Sequence, residues 1–326
     1  MILVVGATGQ LGTKIIRKLI AQGKPVRAFV RKTSDHQHLQ SLGVELAFGD
    51  LRDAASVDAA VRGCDVVIAT ASSVIPVGSY SFEDIEGRGY KHLVDSCKKN
   101  EVKQFLFASA GESSDDEKVP TYRYKRVIER LAKESGVPFS IFRGAPFMDA
   151  WLIFIGGSTP LLNAEAATAA RSFWFSRFYV WLVKGLIENW GIAVVAGNGK
   201  SRQAFIAEDD VATFMVKAIG HPKAMNAVID LGGPEIVSWN EVVGIYGKVL
   251  NKKVRIIHVP AFILRMNQLI MGLFSQAAGN ILGLNWYVAK HDCAFDMAQT
   301  ARDFDVQLTT VEQFLVGKRQ ALPPKQ

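Results

Sequence analysis

The chain is poor in cysteine and has no long run of purely apolar residues. Its 326 residues contain three cysteines, Cys64, Cys97 and Cys293, and this odd number at wide spacing excludes a disulfide framework and a zinc site. The longest stretch without a charged residue, 266–289, is interrupted by asparagine and glutamine, so it falls short of a membrane-spanning helix. Apolar residues make up 49% of the chain, which excludes intrinsic disorder.

Concentrated positive charge and metal-ligand clusters are missing as well. The net charge is +7, but no run of Lys and Arg exceeds a pair, so nucleic acid is not an expected partner. His36 and His38 stand without neighbouring cysteines, so we predict no metal site. The first apolar run, Ile2–Val5, is far shorter than the apolar part of a signal peptide, which makes the cytoplasm the expected location.

Short apolar runs alternate with amphipathic segments through the first 150 residues. This alternation predicts parallel strands joined by crossover helices, in a doubly wound α/β sheet of the Rossmann type. The predicted strands are Ile2–Val5, Val26–Val30, Glu45–Phe48, Val66–Ala69, Phe105–Phe107 and Phe139–Phe142. The predicted helices are Leu11–Ala21, Ser34–Leu42, Ala54–Val61, Ile85–Asn100 and Tyr122–Ser135.

The loss of this alternation farther along the chain indicates a second, smaller lobe. We expect residues 1–150 to form the dinucleotide-binding domain. Residues 203–232, which include a predicted strand at Ala204–Ile206, are expected to pack back onto that domain. Residues 151–202 and 233–326 are expected to form an apolar, largely helical lobe that receives a substrate or a partner.

A glycine-rich loop joins the first predicted strand to the first predicted helix. Its pattern is G-x-x-G-x-x-G, and the strand and helix around it are the context in which such a motif is specific. Gly6 permits the tight turn, Gly9 leaves room for a pyrophosphate, and Gly12 lets the helix pack closely on the strand. The helix N-terminus then faces the phosphates. The predicted phosphate-binding residues are Gly6, Thr8, Gly9, Gln10, Leu11 and Gly12.

The end of the second predicted strand indicates which dinucleotide binds. A site for NAD has a carboxylate there, whereas this strand ends in Arg31 and Lys32. Because a guanidinium binds phosphate oxygens in pairs, we favour NADP(H) over NAD(H). The alternative is that Arg31 and Lys32 belong to a solvated loop. Further cofactor contacts are expected from Asp50 and Leu51 beside the adenine, and from the small residues Ala69, Thr70 and Ala71.

A set of short motifs in the first half of the chain matches one known family. The motifs are Val5–Gly12, Arg31, Gly49–Leu51, Phe107–Ala110, Lys125 with Glu129, Ile141–Arg143 and Pro146–Met148. Together they resemble the NmrA-like branch of the atypical short-chain dehydrogenase/reductases, and the resemblance is loose beyond residue 150. Members include isoflavone-reductase-like enzymes and quinone reductases, but also a complex I accessory subunit and a plastid photosystem II assembly factor. The resemblance therefore implies NAD(P)H binding and leaves catalysis open.

The catalytic positions that the resemblance implies are only partly matched. Lys125 corresponds to the family lysine that bonds the nicotinamide ribose, and Pro146–Phe147 to the residues that pack on the nicotinamide. Ser109 corresponds to the family serine, or is simply a small residue after a buried strand. Thr121 stands where active members carry tyrosine, and a threonine is a far poorer acid. Tyr122 is one position out of register, so the proton for a hydride transfer is expected from water or, after a local shift, from Tyr122.

An aromatic segment follows the dinucleotide half. Residues 171–190 hold seven aromatic side chains beside one narrow polar stripe. Such a segment is the core of the second lobe, a lid or wall of a substrate pocket, or a contact with a membrane surface.

Two functions follow from these features. The first is an NADPH-dependent oxidoreductase that transfers hydride to an apolar carbonyl or quinone-like acceptor. The second is a non-catalytic NADPH-binding regulatory or assembly protein at a membrane complex, which the missing tyrosine favours.

Overall fold

The computed structural model describes residues 1–72, 81–162 and 180–320 of the protein. The strands in these ranges are β1 (Ile2–Val5), β2 (Val26–Val30), β3 (Glu45–Phe48), β4 (Val66–Ala69), β5 (Gln104–Ala110), β6 (Phe139–Gly144), β7 (Ile192–Ala196), β8 (Arg202–Gln203), β9 (Ala227–Leu231), β10 (Val237–Ser238) and β11 (Arg255–Val259).

Helices surround these strands. They are α1 (Gln10–Ala21), α2 (Gln37–Ser41), α3 (Ala54–Val61), α4 (Tyr90–Lys99), α5 (Pro120–Glu134), α6 (Met148–Phe154), α7 (Glu208–Lys217), α8 (Trp239–Leu250), α9 (Ala261–Phe274), α10 (Gln276–Lys290), α11 (Ala298–Asp303) and α12 (Val311–Gln320). A π-helical turn, Glu83–Gly89, runs directly into α4.

Seven strands form one parallel sheet in the order β3-β2-β1-β4-β5-β6-β9. The chain moves outward from β1 to β3 and then returns to the other side of β1, so the strand order reverses between β1 and β4. This arrangement confirms the predicted Rossmann-type doubly wound α/β fold. In sheets of this kind, ligands bind beyond the carboxyl ends of the strands at the reversal point.

Both faces of the sheet are covered at its centre, which explains why β1 and β4 are apolar throughout. Side chains alternate between the two faces of a strand. In β1, Ile2 and Val4 join one apolar cluster, whereas Leu3 and Val5 join the cluster on the other face. None of the four is more than 6% exposed. Such strands need no polar face.

Two local predictions were wrong. The helix predicted over Ser34–Leu42 begins only at Gln37, because the residues before it form a turn in which Ser34 donates its backbone N–H to the Arg31 carbonyl. Ala204–Ile206 is not a strand; the ladder at this point is Arg202–Gln203 with Val237–Ser238. The apolar run is buried all the same, since Ile206 is fully buried and forms an isolated bridge to Phe147.

The later part of the chain is not wholly helical. β7 pairs with β11 in a separate parallel ladder, and a third apolar cluster lies beside it. That cluster contains Trp239, Tyr246 and Tyr287 from α8 and α10. The division of the chain into two lobes stays a prediction.

Helices α9 and α10 form a hairpin joined by the single residue Ser275. The helices approach so closely that a Cβ on Gly279 would lie 2.7 Å from the Cα of Gly272. In α9, only Leu264 and Gln268 are buried. No helix within the three described ranges is long and apolar enough to cross a membrane.

The aromatic segment 171–190 is described only from residue 180 onward. Val183 and Ile187 are buried, whereas the indole rings of Trp181 and Trp190 are 74% and 75% exposed. This part of the segment therefore has one buried and one exposed side. Whether the whole segment serves as core, lid or membrane contact stays open, since residues 171–179 lie outside the described ranges.

Candidate functional site

The glycine loop lies at the point where the strand order reverses. Thr70, directly after β4, donates both its backbone N–H and its hydroxyl to the carbonyl of Val5 at the end of β1. Gly6 follows with a φ of +87°, and a Cβ there would lie 2.5 Å from the backbone nitrogen of Ala71. The loop can therefore approach the end of β4 only because residue 6 has no side chain.

The first turn of α1 is also built on close backbone approach. Gly9 is the N-cap residue, and its backbone N–H donates to the carbonyl of Gly6 at 2.9 Å. A Cβ on Gly12 would lie 2.2 Å from the oxygen of that same carbonyl. No acidic side chain stands in the first turn of α1. The helix therefore carries no negative charge of its own at its positive end, which favours an anion there.

A buried carboxylate anchors the start of α1 to two other helices. Asp149 of α6 is almost fully buried and accepts from the backbone N–H of Glu208 at 2.9 Å. The side chains of Gln10 and Lys14 donate to it at 3.4 and 3.3 Å, and Lys318 lies 3.9 Å away. Gln10, which the motif assigns to phosphate binding, is thus oriented by Asp149.

One arginine follows each of two neighbouring strands, Arg31 after β2 and Arg52 after β3. Arg31 and Lys32 are exposed, and Asp50 follows β3. Arg52 binds the Asp50 carboxylate in a bidentate pair, with both contacts at 3.1 Å. Burial alone would raise the pKa of Asp50, but the hydrogen bonds from Arg52 and the charge of Arg31 hold it below its ordinary value. Arg52 was missed from the sequence, although its spacing of two from Asp50 permits this contact.

The ends of β4 and β5 carry small residues over a buried polar layer. Ala69 is fully buried, and the carbonyl of Ala71 accepts from the Tyr90 hydroxyl at 2.5 Å. Ser72 donates to the fully buried Glu86 at 2.9 Å. Glu86 lies in the π-helical turn and was also missed from the sequence; turns of this type are frequent at functional sites.

Lys125 of α5 reaches the carboxyl end of β5. Its ammonium donates to the carbonyl of Ala108 at 3.0 Å and lies 4.7 Å from the centre of the Phe107 ring. The side chain is buried, and burial lowers the pKa of Lys125. The negative charge of Glu86 opposes that shift. A buried lysine of this kind gives up its proton more readily than an exposed one.

Thr121 and Tyr122 are placed differently from Lys125. Thr121 is hydrogen-bonded to the side chain of Asn280 in α10, which itself is fully buried. The Tyr122 ring stacks on Tyr287 with ring centres 3.8 Å apart, and burial raises its pKa. Both residues therefore contact the α9–α10 hairpin, and their assignment to proton transfer stays a prediction.

Ser109, another predicted site residue, belongs to a network around a buried acid. Glu129 of α5 accepts from Ser109 at 2.6 Å, from Arg126 at 2.7 Å and from Arg143 at 2.7 Å. Burial alone would raise the pKa of Glu129, but the hydrogen bonds from Arg143 and Ser109 and the nearby guanidinium charges hold it below its ordinary value. The hydroxyl of Ser109 is thus occupied by this network.

Pro146 and Phe147 follow β6 toward the same edge of the sheet. The Pro146 carbonyl accepts from the backbone N–H of Ile206 at 3.2 Å. The Phe147 ring packs so closely on Gly144 that a Cβ there would lie 2.9 Å from it. Pro146 is thus held by a backbone hydrogen bond and Phe147 by packing, and their contact with the nicotinamide stays a prediction.

Comparison with known proteins identifies the family. The model of the NmrA-like family matches residues 1–315. The chain belongs to this family. This NmrA-like protein is 28% identical to the photosystem II assembly factor Ycf39 of Cyanophora paradoxa. The alignment covers 81% of this chain and 73% of that factor. The chain is 30% identical, over 79% of its length and 77% of the other, to an isoflavone reductase homologue of Zea mays.

Solved structures share the fold of this NmrA-like protein. An NADPH-dependent quinone oxidoreductase from Escherichia coli, solved with NADPH, superposes with a TM-score of 0.72 at 18% identity. That alignment covers 97% of this chain and 99% of the other. A triphenylmethane reductase from Citrobacter sp., solved with NADP(H), gives a TM-score of 0.73 at 18% identity and covers 99% and 100% of the two chains.

Proposed function

We propose that this protein binds NADPH and transfers hydride to an apolar carbonyl or quinone-like acceptor. The observation that carries the proposal is the loop from Gly6 to Gly12. A Cβ at Gly6 or Gly12 would lie within 3 Å of neighbouring backbone atoms, and the first turn of the helix that follows contains no Asp or Glu of its own. This donor set fits a pyrophosphate. The quinone oxidoreductase and triphenylmethane reductase that share the fold were both solved with this cofactor.

The preference for NADPH rests on the charges beside Asp50. An NAD site has a carboxylate at the end of the second strand, where this chain has Arg31, and the carboxylate of Asp50, after the neighbouring β3, is bound by Arg52. Arg31 acts on the same carboxylate. The two guanidinium groups favour a 2′-phosphate. The cofactor would be held by Gly6, Thr8, Gly9, Gln10, Leu11, Gly12, Arg31, Lys32, Asp50, Leu51, Ala69, Thr70, Ala71, Ser109, Lys125, Pro146 and Phe147.

Lys125 is the residue of this chain best suited to move a proton. The bound nicotinamide supplies the hydride, and the reduced acceptor then needs a proton. The pKa of Lys125 is lowered by burial, so its ammonium is a stronger acid than that of an ordinary lysine. Thr121 engages Asn280 instead, and burial makes the Tyr122 phenol a weaker acid.

Turnover with apolar acceptors tests the proposal. The protein is incubated with NADPH and a panel of quinones and enones, and the cofactor absorbance is followed. We expect oxidation of NADPH with at least one acceptor and loss of that rate in Lys125→Met. If the protein binds NADPH tightly but oxidises it no faster than buffer alone with every acceptor of the panel, the proposed enzymatic function is contradicted.

A second function is favoured by one specific observation. Active members of the family carry tyrosine where this chain has Thr121. Thr121 is in addition hydrogen-bonded to the side chain of Asn280 in a neighbouring helix. A regulatory or assembly protein at a membrane complex that binds NADPH without catalysis needs no proton donor at position 121. The similarity to a photosystem II assembly factor supports this candidate. Cofactor binding without turnover is its expected result in the same assay.

A further inference from the structure

One face of α9 carries a continuous row of exposed apolar side chains. We call it the outer face of α9. Its members recur at spacings of three and four residues, which places them along one side of the helix. They are 48% to 83% exposed, and the two most exposed stand at the tip of the hairpin. The outer face consists of Phe262, Met266, Leu269, Ile270, Leu273 and Phe274.

The hairpin that carries this face is firmly attached to the rest of the protein. On the inner side of α9, Gln268 donates to the carbonyl of Lys118 at 2.9 Å and accepts from Arg265 at 2.5 Å. The Arg265 guanidinium also lies 4.8 Å from the centre of the Trp286 ring in α10. The helix that carries the outer face is therefore held in position. A contiguous row of six exposed apolar side chains on an ordered helix marks an interaction site.

The segment of sequence that contains the hairpin carries charge of one sign. From Val242 to His291 the sequence contains six Lys and Arg residues and no Asp or Glu. Lys252, Lys253 and Arg255 are exposed and lead through β11 into α9. Lys252 donates to the backbone carbonyl of Glu188. Within residues 1–72, 81–162 and 180–320, none of the three cations forms an ion pair, in contrast to their neighbour Lys248, which pairs with Glu312.

An apolar row that directly follows exposed cations along the chain fits an anionic lipid surface. Helices that lie in a membrane interface bury apolar side chains in the acyl boundary while Lys and Arg meet the headgroups. The 14 residues of α9 span ~21 Å, less than the ~30 Å of a bilayer core, so the helix can lie on a membrane but not cross it. A protein partner would need acidic side chains to match these cations and an apolar groove as well.

We propose that the outer face of α9, with Lys252, Lys253 and Arg255, docks this protein onto an anionic membrane surface. With α9 lying along the surface, the bilayer receives the apolar side chains of its outer face, and the headgroups bind the cations that precede the helix. The inner side of the hairpin contacts the start of α5 through Asn280. This proposal does not require hydride transfer, and it deepens the membrane contact considered for the second function.

Vesicle flotation of the full chain tests the docking. Wild type is mixed with vesicles of phosphatidylcholine alone or with added phosphatidylglycerol. We expect flotation with the anionic vesicles only, weakening as salt is raised. The double substitution Leu273→Glu with Phe274→Glu should abolish it, whereas Val228→Glu, at an exposed apolar residue on β9, should not. Protein that stays at the bottom with both vesicles, or floats equally with both, overturns the proposal.

The charge contribution is measured separately. Replacing Lys252, Lys253 and Arg255 together by glutamine should lower the partition coefficient on anionic vesicles on the order of a hundredfold, since each cation near the surface contributes about a factor of five. Lys248→Gln is the matched control because its charge is paired with Glu312. An equal loss in the control and the triple variant would contradict the assignment.

Two further readouts separate docking from other outcomes. NADPH fluorescence of each variant reports an intact fold and cofactor site, so a failure of docking is distinguishable from a failure of the proposed function. An environment-sensitive dye on Leu273→Cys reports insertion without added charge; an unchanged emission with anionic vesicles overturns docking. Light scattering tests for self-association. If the wild type is a dimer that does not bind vesicles, and the double substitution Leu273→Glu with Phe274→Glu makes it a monomer, the outer face of α9 binds a second copy of the chain and the membrane proposal is wrong.

Discussion

Asn280 of α10 caps the start of α5 by bonding Thr121 across the chain. Its side-chain oxygen accepts from the Thr121 backbone N–H and hydroxyl at 3.1 Å, and its amide lies 2.8 Å from the same hydroxyl. α5 has Val119 at its N-cap and no side-chain cap of its own. Because the first N–H groups of a helix lack partners within it, a residue 159 positions away supplies one.

Removing this cap is expected to weaken the attachment of the hairpin. Asn280→Ala leaves a buried N–H and a buried hydroxyl without partners, which costs about 1–3 kcal/mol in the free energy of unfolding. Urea denaturation measures it. Asn285→Ala is the control, since Asn285 donates only to the Ile281 carbonyl one turn back in its own helix. An equally small loss in both variants would show that the Thr121 contact is not stabilising.

The same contact shows what the sequence could and could not predict. The parallel sheet was predictable because its strands are apolar on both faces and end at glycines or small residues, as Ile2–Val5 does before Gly6. The mismatch at Thr121 was visible too, as a departure from a motif. Its partner was not, because nothing local in the sequence connects position 121 to position 280.

Other site residues were missed for a related reason. Arg52 and Glu86 belong to no motif, and each becomes recognisable only through its neighbours, Asp50 for the first and Ser72 for the second. The helix predicted at Ser34 failed because a Ser-Asp pair favours turns as readily as helix caps. The apolar run at Ala204–Ile206 was buried as expected, but burial alone does not imply a strand.

Arg31 and Arg52 are expected to set the cofactor preference. Each charge-assisted contact to a phosphate is worth roughly 1.5–3 kcal/mol, so Arg31→Ala should weaken NADPH binding about tenfold or more and leave NADH binding nearly unchanged. Arg52→Ala should weaken NADPH binding in the same way. Fluorescence titration with both dinucleotides measures the ratio. A variant lacking both arginines that still prefers NADPH would refute the 2′-phosphate assignment.

Comparing Gly6 with Gly23 distinguishes two reasons for a glycine, a positive φ and a close approach of neighbouring backbone. Both have positive φ, +87° and +66°, but a Cβ would meet the Ala71 backbone only at Gly6 and has open space at Gly23. Gly23→Ala should therefore cost only about 1 kcal/mol of backbone strain. Gly6→Ala should cost about 3 kcal/mol or more, and it should abolish NADPH binding because the loop is displaced. Similar melting temperatures for the two variants would contradict the close approach.

Glu129 is expected to stabilise the fold in a pH-dependent way. Glu129→Gln removes the counter-charge that the partly buried Arg126 and Arg143 share and leaves them only Asp116 and Glu112, which costs about 1–3 kcal/mol. Since the pKa of Glu129 is lowered on folding, its ionised form stabilises the protein at pH values above the ordinary glutamate pKa, and this contribution is lost as the pH falls through the lowered pKa. The wild type should therefore lose its advantage over the variant in acid. Glu134→Gln, at an exposed position of the same helix, is the control.

The pH profile of turnover is expected to report the proton on Lys125. Burial lowers the pKa of Lys125, so the rate should fall as the pH rises through that lowered value, below the ordinary lysine range, because only the ammonium form donates a proton. Lys125→Met should lose about 10²–10⁴ in rate and the alkaline limb with it. Lys91→Met, at an exposed ion pair of α4, should retain both. If the alkaline limb persists in the residual activity of Lys125→Met, the proton comes from another group, and Tyr122 becomes the residue to substitute next.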